Sequence, residues 1–316
     1  MVKAARKTVI KKSTPTKLRV SVSPTVAGSP TTLSDFIGLM TKYAQASAAF
    51  KCYRGQRNAV WPNVPALLRP ELSELEQNEK RAVRDLISVH PNEFGADGSM
   101  FDKLVRMQHF GLPTRLMDVS RNPLVALYFA TDPGDPRDPP TDGAVTAFAV
   151  PEGREKYFDS DSVSCLANLA NMTAREKDEI VAVRRARLSG TTKDAEIARI
   201  NGENVIKRLH QFIRVEKPHF LPIIDPIDLF KPYFVHPKMS NRRILSQAGG
   251  FIIHGLEPPR KIKFAHNIVE TKFVIPMGAK EDLREALDLL GINDSTLFPE
   301  LDRAAKRIKE TYSNTS

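Results

Sequence analysis

The 316-residue chain has only two cysteines, Cys52 and Cys165, a single tryptophan and 7% aromatic residues. Two isolated cysteines exclude a disulfide framework and a cysteine metal site. The seven histidines, His90, His109, His210, His219, His236, His254 and His266, lack metal-ligand spacing, so no metal is expected. No run reaches the roughly 18 apolar residues of a membrane span. No apolar stretch of about 7–15 residues follows the N-terminal positive charges, which argues against a secretory signal. The expectation is a cytoplasmic protein with no membrane partner. The sequence also lacks a Walker loop and the GxGxxG, GxSxG and HExxH patterns, so the commonest nucleotide-binding, hydrolase and metalloprotease readings have nothing to rest on.

Acidic residues are missing at the start. None precedes Asp35, whereas Lys3, Arg6, Lys7, Lys11, Lys12, Lys17 and Arg19 supply seven of the net +10 charges. Ser, Thr, Pro and Gly are frequent from Ser13 to Thr32. Residues 1–31 therefore read as a disordered basic arm, either a solvated tail or a contact for nucleic acid or another acidic surface. The rest is long and apolar enough for a sizeable core.

From Thr31 onward, helix and strand signals mix without regular alternation, which favours an α+β class: one compact domain over residues 32–310. Helices are expected after Asp35, over 71–89, over 100–110 ending at Gly111, and from Asn122-Pro123 to Thr131. A capping box at Thr173-Ala-Arg-Glu176 opens another. Ser240 to Gln247, Lys280 to Leu290 and Phe298 to Lys309 complete the helices. Strands are expected at 50–54, 143–150, 220–224, 229–235, 251–254 and within 262–275.

Three polar patches carry chemistry. In Tyr53-Arg54-Gly55-Gln56, an arginine leaves a strand beside a glycine. That pairing lets the backbone approach a ligand while the guanidinium grips an anion, although a plain turn uses the same residues. In Met107-Gln-His-Phe-Gly-Leu-Pro-Thr-Arg-Leu-Met-Asp118, Gln108 and His109 end a helix. Thr114 and Arg115 sit in a connecting loop, and Asp118 precedes an apolar helix. The bland reading is a dipole-favoured His109 and an Arg115–Asp118 ion pair. The density of donors and acceptors on a loop between apolar helices points to binding instead. In Asn241-Arg-Arg-Ile-Leu-Ser-Gln247, Arg243 and Gln247 share a helix face. Thr296 to Asp302 reads as capping and packing.

These stretches, with the apolar helix Asn122-Pro-Leu-Val-Ala-Leu-Tyr-Phe-Ala130 and the tail Gly291 to Asp302, resemble the FRG domain family, named for an aromatic-Arg-Gly motif. Tyr53 stands where the family has Phe, and Met117-Asp118-Val119 where it more often has Leu-Asp-Trp. A strand ending in aromatic-Arg-Gly is also similar to the NAD-gripping strand of mono-ADP-ribosyltransferases. That resemblance implies NAD as substrate, with Arg54, Gln56, Thr114, Arg115, Arg243 and Gln247 as binding residues. It implies Asp118 as the stabilising acid with His109 orienting it, and Glu270 as the other acid available. The family setting implies a bacterial or phage toxin or defence effector. The alternative is a non-enzymatic nucleic-acid or protein binder, in which Arg54, Arg57, Arg69, Arg115, Arg121, Arg242 and Arg243 form one basic face.

Overall fold

The computed structural model describes residues 25–186, 190, 192–257 and 267–299. Eight strands form one mixed sheet: β1 (Thr25–Gly28), β2 (Phe50–Gln56), β3 (Leu116–Ser120), β4 (Gly143–Val150), β5 (Glu155–Tyr157), β6 (Tyr233–His236), β7 (Gly249–Ile253) and β8 (Val269–Ile275). Their spatial order is β1-β8-β4-β2-β3-β7-β6-β5. The two outermost pairs are parallel and the inner pairs antiparallel. The helices are α1 (Leu33–Gln45), α2 (Ser73–Gln77), α3 (Glu79–Val89), α4 (Met100–His109), α5 (Pro123–Ala130), α6 (Asp161–Ala167), α7 (Ala174–Arg185), α8 (Lys193–Asn201), α9 (Asn204–Glu216), α10 (Arg242–Ser246), α11 (Lys280–Leu289) and α12 (Asp294–Leu297). The fold is α+β, as the mixed signals require. Among the described residues no helix is long and apolar enough to cross a membrane.

Side chains alternate across a strand, and the buried residues sort accordingly. On one face, Tyr53, Val145, Ala147, Phe273 and Ile275 pack with Phe36 of α1, α5 and Leu283 of α11. Further along the same face, Leu116, Phe251, Ile253, Tyr233 and Val235 pack with Val83, Leu104, Met107 and Leu166 from α3, α4 and α6. The opposite face buries Cys52, Met117, Val119, Phe148, Val150, Phe234 and Ile252. A separate cluster joins α6 to α9 and the segment through Phe230.

Helix α5 is the centre of the first core. Its sequence, Pro-Leu-Val-Ala-Leu-Tyr-Phe-Ala, has no polar side, so it must be enclosed. Asn122 caps it, accepting from the Leu124 N–H at 2.9 Å, and Pro123 occupies the first turn. Burying Val125 and Leu127 contributes about 1.5–3 kcal/mol each. A Cβ on Gly55 would lie 1.8 Å from the Ala126 carbonyl oxygen, and one on Gly143 would lie 2.1 Å from that of Ala130. These two glycines let the helix backbone rest on β2 and β4. The glycine of the Arg-Gly pair thus admits a helix, not the ligand expected from the sequence.

Several other expectations are corrected. The stretch containing Asp118, read as a loop, is β3 in the middle of the sheet. The helix expected over 71–89 breaks at Asn78 into α2 and α3, and Glu79 starts α3 turned inward at 3% exposure. Segment 220–224 is not a strand. It is pinned by Asn201, whose Oδ1 accepts from the Ile224 N–H at 2.9 Å and whose Nδ2 donates to the Ile224 carbonyl at 2.8 Å. Segment 229–235 begins in the 3-10 turn Pro226–Phe230 before β6. Residues 25–28, placed in the structureless arm, form β1. Residues 1–24 of that arm lie outside the described residues, as does the expected helix over 298–309 beyond its first two residues.

Candidate functional site

The residues expected to share one cleft occupy four places. Arg115 is interior, at 2% exposure. Its Nε and Nη2 donate to the two carboxylate oxygens of Glu79 at 2.9 and 2.5 Å, and its Nη1 to the His254 carbonyl at 3.1 Å. Lys177 of α7 donates to the same carboxylate at 2.5 Å. Burial pushes the Glu79 carboxyl up, but the charges and hydrogen bonds of Arg115 and Lys177 together hold it below the ordinary carboxylate range. Arg115 is therefore a structural cation tying β3 to α3 and α7, not a ligand-binding arginine. Its partner is Glu79, not Asp118.

Asp118 projects from β3 on the α4 side of the sheet, where it is exposed. Gln108 Nε2 donates to Asp118 Oδ2 at 2.7 Å, and Gln108 Oε1 accepts from the Thr114 hydroxyl. Gln108 is thus a group that orients Asp118. His109 ends α4 on the same side, its ring edge-on to Phe110. Arg243 and Gln247 belong to a third place. The Arg243 guanidinium lies 4.9 Å from the Phe298 ring centre, and Gln247 Nε2 donates to the Leu297 carbonyl at 3.0 Å. They fasten the α12 end of the chain to α10.

Arg54 and Gln56 lie on the opposite face from Asp118, because Tyr53 and Gly55 point toward α5. Strands β2 and β4 pair along their whole length, whereas β2 and β3 are paired only at Tyr53 and Ser120. Arg54 Nη1 spans that gap to the Asp118 backbone carbonyl at 2.6 Å. Its Nε is buried without a partner. Burial first, and then the charge of Arg69, push the Arg54 guanidinium down from its ordinary value, with Asp118 opposing.

The same face gathers residues that the motifs did not include. Thr146, fully buried, stands opposite Arg54 in β4, and Lys272 stands opposite Thr146 in β8. Glu270 lies two residues from Lys272 on the same face. Asn63, in the loop after β2, donates from Nδ2 to Glu270 Oε2 at 2.9 Å and to Thr146 Oγ1 at 3.2 Å. Lys272 Nζ donates to the Ala59 carbonyl at 2.7 Å, and Gln56 Nε2 to that of Pro62 at 3.3 Å. Burial raises the Glu270 carboxyl above its ordinary value, against the Asn63 bond and the Lys272 charge. One signal was present in the sequence: Thr146 is the only polar side chain in the apolar run Gly143 to Val150.

The basic face of seven arginines is not assembled. Arg115 is interior, Arg57 pairs with Asp138 at 2.7 Å and Arg243 stacks on Phe298, while Arg121 and Arg242 are exposed. Two grooves open elsewhere. One of about 870 Å3 is lined by Asn201, Lys207, His210 and Arg214, and one of about 630 Å3 by Asp161, Cys165, Lys217 and His219. None of the motif residues lines either groove. Among the described residues no three His, Cys, Asp or Glu side chains gather as metal ligands would.

Residues 50–138 match the family model of the FRG domain, so the chain carries an FRG domain. That span holds Arg54, Asn63, Arg69, Glu79, Arg115 and Asp118, but neither Thr146 nor Glu270. No curated protein and no solved structure matches the chain.

Proposed function

We propose that this FRG-domain protein is an NAD-consuming enzyme that moves ADP-ribose to a protein, to nucleic acid or to water, and that its active face is the one bearing Arg54 and Glu270. The observation that carries this reading is the shared face itself. A half-buried guanidinium whose Nε has no hydrogen-bond partner and a half-buried carboxyl raised by desolvation flank Thr146 on adjoining strands. Neighbouring strands lie about 4.8 Å apart, so β2 and β8, separated by β4, are roughly 10 Å apart, and because Arg54 reaches toward β3 a ligand shared with Glu270 has to span at least that distance.

In this mechanism Arg54 holds the pyrophosphate by charge-assisted hydrogen bonds. The bond between the ribose C1′ and the nicotinamide nitrogen breaks, and its electron pair leaves with nicotinamide. Positive charge develops on the ribose, and the Glu270 carboxylate stabilises it electrostatically. Glu270 then takes the proton of the attacking water or acceptor hydroxyl, a role favoured by a carboxyl raised toward the working pH. Gln56 is the hydroxyl-contacting residue, and Thr146 helps to hold Asn63 in place beside it. Glu270 takes the part first given to Asp118, because Asp118 points from the other face. Consuming NAD or modifying a target suits a toxin or defence effector, and that is the role the proposal carries.

The test is nicotinamide release from NAD, followed chromatographically with and without nucleic acid, with NAD binding measured by calorimetry. Absence of both defeats the reading. The second reading, a nucleic-acid binder, is favoured by the seven cations within residues 1–19. It requires duplex affinity that falls with salt by about 0.9 log units per contact per log unit of salt, with a slope that flattens when residues 1–24 are deleted.

A further inference from the structure

Buried side-chain polar atoms without a hydrogen-bond partner concentrate in one part of the described structure. Four belong to the short stretch from β2 into the following turn: Arg54 Nε, Gln56 Oε1, Asn63 Oδ1 and Arg69 Nε. Buried polar groups are normally satisfied, and each orphan costs about 1–3 kcal/mol. Four orphans in sixteen residues of sequence therefore need a common reason.

Their chemistry is complementary. Arg54 and Arg69 are both cations, and neither makes an ion pair with a carboxylate in the described structure. Arg69 lies close enough for its charge to disfavour that of Arg54, although the Asp118 charge favours it more strongly. Two like charges brought together at a partly buried site repel unless an anion lies between them. Gln56 and Asn63 offer the opposite chemistry, each with a free carbonyl oxygen. Gln56 is 4% exposed and is held by its amide nitrogen to Pro62, which leaves Oε1 for a donor. Asn63 is likewise held by its nitrogen on Glu270 and Thr146, leaving Oδ1. The site thus presents two guanidinium donors for an anion and two amide acceptors for hydroxyl or amide hydrogens.

We infer that Arg54 and Arg69 together clamp a diphosphate, and that Gln56 and Asn63 accept from the hydroxyl-bearing group attached to it, so that this face of the sheet takes a nucleoside-diphosphate ligand. This inference deepens the reading above and rests on it for the choice of face. Arg69 is the new binding residue. It is the C-cap of the 3-10 turn Ala66–Leu68, whose Leu67 and Leu68 are buried.

The experiment is calorimetric titration of inorganic pyrophosphate and, separately, of ADP-ribose into the full-length protein, with thermal melts confirming that each variant is folded. The wild type binds both. Arg69→Ala weakens pyrophosphate at least about tenfold, the scale of one lost charge-assisted pair. Arg69→Lys, which keeps the charge but loses the planar fork, weakens it by a smaller but measurable factor. Gln56→Ala weakens ADP-ribose and leaves pyrophosphate unchanged. Wild-type pyrophosphate affinity weaker than about 1 mM overturns the clamp, as does unaltered affinity in Arg69→Ala. If that variant does not fold, unaltered affinity in Arg69→Lys overturns it. Unaltered ADP-ribose affinity in Gln56→Ala overturns the acceptor half. Loss of pyrophosphate binding in Arg69→Ala without any nicotinamide release by wild type leaves the clamp standing and removes the NAD reading. Nicotinamide release untouched by Arg69→Ala, with pyrophosphate binding also untouched, does the reverse.

Discussion

Arg115 and Arg54 are both drawn into the protein, sixty-one positions apart in one FRG domain, and they are furnished differently. Arg115 meets a carboxylate on two nitrogens and a carbonyl on a third, with Lys177 sharing the same carboxylate. Arg54, only half-buried, has one backbone carbonyl, an orphaned Nε and, besides the Asp118 charge, a second cation for a neighbour. A buried charge that is fully paired is holding elements together. A buried charge that is not paired is costly, and a ligand that supplies the missing anion offsets the cost. The carboxyls divide in the same way: Glu79 is held low by two cations, and Glu270 is pushed up by burial.

The largest effect expected from this contrast is on stability. Glu79→Gln leaves Arg115 and Lys177 buried without a counter-charge and costs about 3–5 kcal/mol in urea unfolding. A loss under about 1 kcal/mol would mean that the cluster is not the fastening described. Arg54→Met is expected to do the opposite. It removes an unpaired cation and one hydrogen bond, so stability changes by less than about 1.5 kcal/mol, while nicotinamide release falls at least about 100-fold, near 2.7 kcal/mol of transition-state stabilisation. If Arg54→Met unfolds the protein as Glu79→Gln does, the two arginines are of one kind and the comparison collapses.

The pH dependence sharpens the comparison, because the two carboxyls contribute with opposite signs. Glu79 has a depressed folded pKa, so its stabilisation is present above its unfolded pKa and is lost as pH falls through the folded value. Glu270 has a raised folded pKa. Its carboxylate is unfavourable in the folded state, and stability declines as pH rises from the unfolded pKa through the folded one. Glu270→Gln should therefore melt higher than wild type at pH 8 and converge with it near pH 4, while losing nicotinamide release. A lower melting temperature at pH 8 would show that the carboxylate is stabilising after all. The smallest effect belongs to Gln108→Ala. It loses the contacts to Asp118 and Thr114, costs about 0.5–1.5 kcal/mol and leaves nicotinamide release unchanged. A parallel fall in that activity would return the chemistry to the Asp118 face.

Much of the local structure was legible. Asn122-Pro123 announces α5 as cap and first turn, and the Thr173–Glu176 capping box opens α7 with both reciprocal bonds formed. These signals act over four residues, so the sequence displays them directly. Strand β3 was not legible, because Asp118 and Ser120 on one side and Met117 and Val119 on the other look like a polar connector until β7 lies alongside. The parallel edge strands β1 and β5 were hidden for a similar reason: each pairs with a strand more than 75 residues away.

The candidate site divides along the same line. That Arg54, Arg115 and Asp118 are chemically notable follows from composition and motif. Which of them shares a surface with another does not, since moving one residue along a strand sends a side chain to the other face, and a buried carboxylate from a distant helix can claim an arginine outright. The sequence alone determined the α+β class, the capped helices, the FRG motifs and the basic N-terminal charge, all of which depend on neighbours in the chain or on composition. Only the tertiary structure decided that Gly55 seats a helix, that Glu79 takes Arg115, and that Glu270, Thr146 and Asn63 stand with Arg54. Those outcomes depend on strand register and on contacts between segments far apart in the chain.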